Sequence, residues 1–198
     1  MRRARQGKIV LMFADASHFV MGGDYLGYIY GFARRLVRTF SGRKRYNVLG
    51  ALDYVSKKIT TVTNTAYITA TEVCQLLEKI AKEYVGKAIF IVLDNARYQK
   101  CDVVRNLASE LNIQLLFIPP YSPNLNLIER VWKFVKSGLR SQYYNLFDEF
   151  QEKIDSIVES THTTNSNAIN RLIGRGVQLF DELEPVSDNS FSSRKSAA

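Results

Sequence analysis

The sequence predicts an α/β fold: a mixed sheet, made of an antiparallel meander followed by parallel strands, with helices on its faces. Two of the early strand-like segments are joined by a short polar turn, so the first strands should pair antiparallel. Helical patterns separate the later strands, which should therefore run parallel with right-handed crossovers. The predicted strands are residues 8–14, 45–54, 58–65, 88–93 and 113–118.

Helices are predicted between and after these strands. The first begins at Thr69, which fits a capping box with Glu72, and Gly86 ends it. Ser, Thr and Asn accumulate from Thr161 onward, so we predict a domain over residues 1–160 and a C-terminal extension over 161–198, largely a disordered tail. The other predicted helices cover about 99–111, 124–140, 146–160 and 167–182.

Composition limits the class of protein. A chain of 198 residues suits one domain of ordinary size, and no apolar run approaches the roughly 20 residues that span a bilayer. The net charge of +8 favours a polyanionic partner such as nucleic acid. Two cysteines and two histidines without ligand spacing argue against a zinc site and fit reduced thiols in a cytoplasmic protein.

Three acidic residues could share one site. Asp94 directly follows the buried segment 88–93, and Asp15 closes or lies within the first strand, which is usually central in such folds. Glu129 borders the apolar stripe of the helix at 124–140. Because ligands gather near the carboxyl ends of strands in open α/β sheets, these carboxylates can converge there.

Converging carboxylates repel each other unless cations neutralise them, and hard oxygen ligands select Mg²⁺ or Mn²⁺. Two such ions can clamp the attacking and leaving oxygens of a phosphodiester. Each acid also has an ordinary interpretation: an aspartate at a strand end often forms a turn, and Glu129 can pair with Lys133 on the helix surface. Rival acids are Asp24, Asp53 and Asp102.

The segments FADASHF, VLDNARYQK and YSPNLNLIERVWKFVK resemble the catalytic domain of mariner-type bacterial insertion-sequence transposases, members of the DDE superfamily of endonucleases. The resemblance runs from about residue 8 to 160, with 34 residues between Asp94 and Glu129. It implies a ribonuclease H-like fold and a catalytic, metal-binding triad of Asp15, Asp94 and Glu129. It also implies two Mg²⁺ (or Mn²⁺) ions, cleavage and strand transfer of double-stranded DNA at transposon ends and target, and a location in the bacterial cytoplasm, associated with the nucleoid.

Several positions depart from the family pattern. Many relatives have His, Asp and Pro where this chain has Gln99, Asn124 and Leu127, but no triad carboxylate is lost. Relatives also carry helix-turn-helix domains before the catalytic one, whereas fourteen residues precede Asp15 here. We therefore expect a helix-turn-helix portion encoded upstream, as in a split reading frame or a degraded element, and leave a homodimer open.

Two groups of cations are predicted to contact the DNA backbone, although a charged surface is more often merely solvated. One group continues from Glu129 at helical spacing, and the other is a dense cationic segment. Their members are Lys133, Lys136 and Arg140, and Arg34, Arg35, Arg38, Arg43, Lys44 and Arg45. Two other functions stay open: an inactive DNA-binding transposon relic, and a stand-alone ribonuclease H-like nuclease.

Overall fold

The computed structural model describes residues 1–22, 44–119, 122–140 and 142–174. They form one five-stranded sheet with the order β3-β2-β1-β4-β5. The pairs β1–β2 and β2–β3 are antiparallel, and β1–β4 and β4–β5 are parallel, which confirms the predicted mixed sheet with a central first strand. The strands are β1 (Val10–Val20), β2 (Arg45–Asp53), β3 (Ile59–Asn64), β4 (Ile89–Leu93) and β5 (Ile113–Phe117).

The first strand is longer than predicted. It was expected to end at residue 14 but continues to Val20, because its second half stays paired with β2 as far as Arg45. Asp15 therefore lies inside β1, opposite Gly50 of β2. The sequence did not predict this extension, because Asp15, Ser17 and His18 interrupt the apolar run of the strand.

The helices follow the prediction in number and order, with a short additional helix, α1, at the start of the chain. Thr69 and Glu72 form the predicted capping box of α2, in which the Glu72 carboxylate accepts from the Thr69 N–H at 2.7 Å. The helices are α1 (Arg2–Arg5), α2 (Ala70–Glu83), α3 (Asp102–Glu110), α4 (Ile128–Gly138), α5 (Phe147–Ser160) and α6 (Ser166–Gly174).

Two predicted helices begin later than expected. A 3₁₀ turn, Arg97–Gln99, precedes α3, and another, Pro123–Leu125, precedes α4. The region predicted as one helix over 124–140 is thus a turn followed by α4, because Asn126 leaves the helical path and directs its buried side chain to β1. At the other end α4 stops at Gly138, so Arg140 lies outside the helix.

Each face of the sheet has its own apolar core. Leu11 and Phe13 of β1 point to the face that carries α4, α5 and α6, whereas Met12 and Ala14 point to the face that carries α2 and α3. This alternation follows from the two-residue period of a strand. It fixes which side chains of β1 face α4, and residue 15 continues the series of Leu11 and Phe13.

The part of the chain beyond residue 160 contributes to the first of these cores. Helix α6 buries Ile169 and Ile173 in it. The predicted division at residue 160 stays a prediction, and residues 175–198 of the extension lie outside the described part. None of the described helices is long and apolar enough to cross a membrane.

Candidate active site

Asp15 lies in β1, and Asp94 directly follows β4, the strand that pairs parallel with β1. The register of β1 and β4 last pairs Phe13 with Val92, and each aspartate follows its strand's paired residue by two positions. Side chains two apart point to the same face, and both Phe13 and Val92 belong to the core beneath α4. The two carboxylates therefore start from the same face of the sheet, the one that α4 covers.

Glu129 lies in the first turn of α4 and is partly buried. The start of this helix is fixed to β1 by the side chain of Asn126, whose Nδ2 donates to the carbonyl oxygen of Ala14 at 3.0 Å. Ala14 immediately precedes Asp15 in the chain. This hydrogen bond brings the first turn of α4, with Glu129, to the part of β1 that carries Asp15.

Electrostatics show that the three acids act on each other. Burial raises the pKa of Asp15 to about 7, and the negative charges of Asp94 and Glu129 add to the rise. The N–H of Ala16 and the positive charge of Lys136 oppose it. A cation bound close by would lower this pKa and favour the ionised carboxylate.

The pKa of Glu129 is raised as well, first by burial and also by Asp94, while Lys133 lowers it. Lys133 is the predicted ion-pair partner, but its charge does not cancel the other two effects. Among the described residues, the ion pairs join Lys58 to Glu83 and His162 to Glu159, and none joins Glu129 to Lys133. Lys133 therefore acts on Glu129 through its charge, which is the largest effect after burial, but without a direct ion pair.

The donor set fits a divalent cation that prefers oxygen. Within the described ranges, no three His, Cys, Asp or Glu side chains lie close enough to hold a single ion together. Mg²⁺ usually binds one or two carboxylates and completes its shell with waters and phosphate oxygens. Pairs drawn from Asp15, Asp94 and Glu129 supply that many, and a cation would offset the burial and the neighbouring negative charge that raise the pKa values of Asp15 and Glu129.

The loop after β4 is ordered around Asp94. The Oδ1 of Asp94 accepts from the N–H of Ala96 at 3.2 Å, so one oxygen does form a turn, as the ordinary interpretation expects. The amide of Asn95 donates to the carbonyl of Ile118 and ties this loop to the residue after β5. Asp94 is thus held in place through one of its two carboxylate oxygens.

Sequence reasoning missed two residues beside the acids. Burial, with the charges of Asp94 and Asp15, raises the pKa of Tyr98 to about 12, so this phenol lies within their field. Asn126 is the other, since it reaches the backbone next to Asp15. Asn126 stands three residues before Glu129, but no pattern in the sequence shows that its side chain is buried and directed to β1.

Of the three cations predicted to contact DNA after Glu129, Lys133 and Lys136 lie on α4 and Arg140 follows it. Lys136 lies near the acids, because its charge acts on Asp15, and its Nζ is 5.8 Å from the ring centroid of Phe19. Lys133 and Arg140 are exposed. Since Arg140 follows the end of α4, the expected continuous helical row from residue 129 to 140 is interrupted.

The second predicted cationic segment is described only at its end. Lys44 places its Nζ 5.6 Å from the ring centroid of Phe147. Arg45 is exposed at the start of β2, and its charge, after burial and Lys136, lowers the pKa of His18. The members that lie outside the described residues are Arg34, Arg35, Arg38 and Arg43.

The rival acid Asp53 has a structural role. It lies at the opposite end of β2 from Arg45, is 7 % exposed, and accepts from the N–H of Val55 at 2.6 Å and from the Tyr84 hydroxyl at 2.9 Å. Asp102 begins α3, and Asp24 lies outside the described residues. The charges that act on Asp15 are those of Asp94, Glu129 and Lys136, and neither Asp53 nor Asp102 is one of them.

A family model described as DDE superfamily endonuclease matches residues 10–151, a span that includes all three acids. No curated protein sequence matches the chain. Similar solved structures include the Mos1 strand transfer complex (16% identity, TM-score 0.61, 88% of this chain and 54% of the matched one). The catalytic domain of Mos1 mariner transposase is also similar (15% identity, TM-score 0.58, 88% and 82%), as is the Mos1 mariner paired end complex with Mn (15%, 0.59, 87% and 56%).

At these identities the structural likeness shows the fold, which is the ribonuclease H-like arrangement of transposase catalytic domains. The chain spans about half the length of the protein in the strand transfer complex, 54%.

Proposed function

The chain belongs to the DDE superfamily of endonucleases, and from this premise we propose that residues 1–160 are a transposase catalytic domain that cleaves DNA strands and joins them to target DNA. The observation that supports the proposal is geometric: Asp15 and Asp94 start from the same face of the sheet, and the Asn126 side chain ties the first turn of α4, which carries Glu129, to the strand of Asp15. The charges of Asp94 and Glu129 also contribute to the raised pKa of Asp15. The titles of the similar structures, a strand transfer complex and a paired end complex with Mn, agree with this chemistry.

In this proposal the three acids are the catalytic residues and hold two Mg²⁺ or Mn²⁺ ions. Asp15 is the central ligand, because both of the other acids act on it. Asp94 and Glu129 complete the site from β4 and α4. The chemistry such ions supply is neutralisation of charge on the attacking and leaving oxygens of an in-line displacement at phosphorus.

The side chains around the acids have separate tasks. Asp15 has a pKa of about 7 in the absence of cations, and it would lose its proton when a divalent metal ion binds. Lys136 and Lys133 sit on the helix that carries Glu129 and hold the phosphate backbone across the acids. The attacking group is water during cleavage and a DNA 3′-hydroxyl during joining, and no covalent bond to the protein forms.

The wider DNA path and the partners are also proposals. Further backbone contacts would come from Arg140 and from the cationic segment that ends in Lys44 and Arg45. A helix-turn-helix portion encoded upstream would recognise the transposon ends, since base readout needs an element that enters the major groove. Such a protein would act in the bacterial cytoplasm at the nucleoid, and a homodimer would bring two ends together.

Two assays test the proposal. Nicking of a supercoiled plasmid in Mg²⁺ or Mn²⁺, and its loss in D15N, D94N and E129Q, would separate an enzyme from an inactive DNA-binding protein. Joining of a labelled duplex with a free 3′-hydroxyl to a plasmid would separate a transposase from a nuclease. Metal-dependent nicking without any joining would contradict the strand transfer step, and absence of both would contradict the proposed function.

A further inference from the structure

Strands β1 and β4 stop pairing just before Asp15 and Asp94. β1 and β4 pair only as far as Phe13 and Val92, whereas β1 and β2 stay paired to Val20. Backbone groups of successive strand residues point to alternate sides. The N–H of Val10 bonds toward β4, to the carbonyl of Ala88 at 2.9 Å, so the even-numbered residue Ala14 also directs its carbonyl away from β2. That carbonyl lies just past the last β1–β4 pair and needs another donor.

Asn126 supplies the donor. Its side chain is 1 % exposed, and its Nδ2 lies 3.0 Å from the Ala14 oxygen, across 112 residues of sequence. A carbonyl can only accept, so the amide nitrogen must be the atom that faces it. The backbone carbonyl of Asn126 in turn accepts from the N–H of Glu129 at 3.2 Å. One residue thus connects the strand of Asp15 with the turn that carries Glu129.

A second contact holds the other side of Glu129. Trp132, three residues further along α4, is 4 % exposed and packs its ring against Gly50, the register partner of Asp15. Asn126 and Trp132 therefore bracket Glu129 at three residues on either side. Asn126 reaches β1 and Trp132 reaches β2, the two strands that pair at Asp15.

Burial of the Asn126 side-chain amide lowers the stability of the fold, which argues that its hydrogen bond to Ala14 has a role beyond packing. The Oδ1 of Asn126 is buried and has no hydrogen-bond partner among the described residues. A buried polar atom without a partner lowers stability, and an apolar side chain of the same size would avoid that cost. Packing alone does not account for an asparagine here.

We propose that Asn126 is a positioning residue that holds the Glu129 carboxylate at the separation from Asp15 needed for both to serve one divalent cation. The inference rests on the proposed function, because it assumes that these acids bind metal. Partners that orient metal ligands typically change metal affinity by about 10–100-fold when removed. A residue that merely stabilised the fold would leave that affinity unchanged in the folded fraction.

The test compares N126L with a matched control, N47L, by calorimetric titration with Mn²⁺. Asn47 is 5 % exposed, and its Nδ2 donates to the carbonyl of Ala66 at 2.8 Å and to Oδ1 of Asn64 at 3.0 Å. N47L therefore also loses a buried amide-to-carbonyl bond, on the face of the sheet opposite α4. We expect both variants to lose thermal stability. N126L should bind at least one Mn²⁺ about 10–100-fold more weakly, and N47L should bind like the wild type.

A double variant shows whether the effect passes through Glu129. If Asn126 acts by placing Glu129, then N126L/E129Q should bind Mn²⁺ no more weakly than E129Q alone. Should N126L fail to fold, N126S, whose hydroxyl cannot reach Ala14, replaces it in the same cycle. Wild-type affinity in a folded Asn126 variant, or full additivity with E129Q, would overturn the inference alone. A wild type that binds no Mn²⁺ would instead overturn the proposed function and the inference with it.

Discussion

The ring of Trp132 occupies the space directly over Gly50. A Cβ atom built at Gly50 would lie 2.8 Å from Cη2 of Trp132 and 3.1 Å from Cγ2 of Ile59, closer than side chains tolerate. Because Gly50 pairs with Asp15 across the sheet, the absence of a side chain at residue 50 lets α4 approach the strand that carries the site.

Replacing Gly50 with alanine should therefore move Trp132 and lift α4. We expect G50A to lower the free energy of unfolding by about 1–3 kcal/mol, which is typical of overpacking a core. Urea denaturation measures this loss. The matched control is G174A at the end of α6, where no atom of the described residues lies within 4 Å of an added Cβ, so its stability should be unchanged or slightly increased. Equal effects of the two substitutions would contradict the packing argument.

Glu129 should be required for chemistry but not for folding. E129Q keeps the size of the side chain and removes one negative charge from a repulsive cluster, so the melting temperature should fall little or rise. Metal-dependent nicking should fall by orders of magnitude. The control E110Q alters an exposed glutamate at the end of α3 and should nick like the wild type. Near wild-type nicking by E129Q would mean that Glu129 is only a surface acid.

The cations after Glu129 should contribute to DNA affinity independently of sequence. For K136A and R140A we expect weaker binding to every duplex, with the slope of log affinity against log salt smaller by about one unit each. Binding isotherms at several salt concentrations measure the slope. K82A, on the exposed side of α2 beyond the opposite face of the sheet, is the control and should leave the slope unchanged. An unchanged slope for K136A would place the DNA path elsewhere.

The metal-free protein should lose stability as the pH rises. Folding raises the pKa of Asp15 from about 3.8 to about 7, so the folded protein binds a proton in this range that the unfolded chain has released. Stability from this group is therefore present below the lower value and lost as pH rises through the upper one.

The variant D15N carries no ionisable group at this position and should escape the loss. In EDTA we expect it to exceed the wild type in stability at pH 8 by on the order of 1–3 kcal/mol, with a much smaller difference at pH 4.5. Urea unfolding at the two pH values provides the comparison. A difference that is the same at both would show that the charge of Asp15 is not destabilising.

Much of the fold was predictable because its determinants are local. The strands at 89–93 and 113–117 are short apolar runs between helical patterns, and the capping box at Thr69 is a sequence motif. What could not be predicted depends on distant partners. β1 continues to Val20 only because β2 pairs with it, and Asn126 leaves the helix for a carbonyl that lies 112 residues earlier in the chain.

The site follows the same division. Asp15, Asp94 and Glu129 could each be proposed from their positions on a strand, after a strand and on a helix, and the family resemblance assigned them the role of a metal-binding triad. Two features could not be predicted: the effect of the Asp94 and Asp15 charges on Tyr98, and the anchoring role of Asn126. Both arise from contacts between separate elements. Composition and periodicity carry no information on such contacts.

The central claim is that Asp15, Asp94 and Glu129 form one site for divalent metal. A crystal structure of the chain soaked in Mn²⁺, with anomalous difference maps at the manganese edge, tests it most directly. The account predicts anomalous peaks within about 2.0–2.4 Å of carboxylate oxygens from all three residues. Peaks confined to other acids, such as Asp102, or an acid cluster that remains empty at millimolar Mn²⁺, would contradict it.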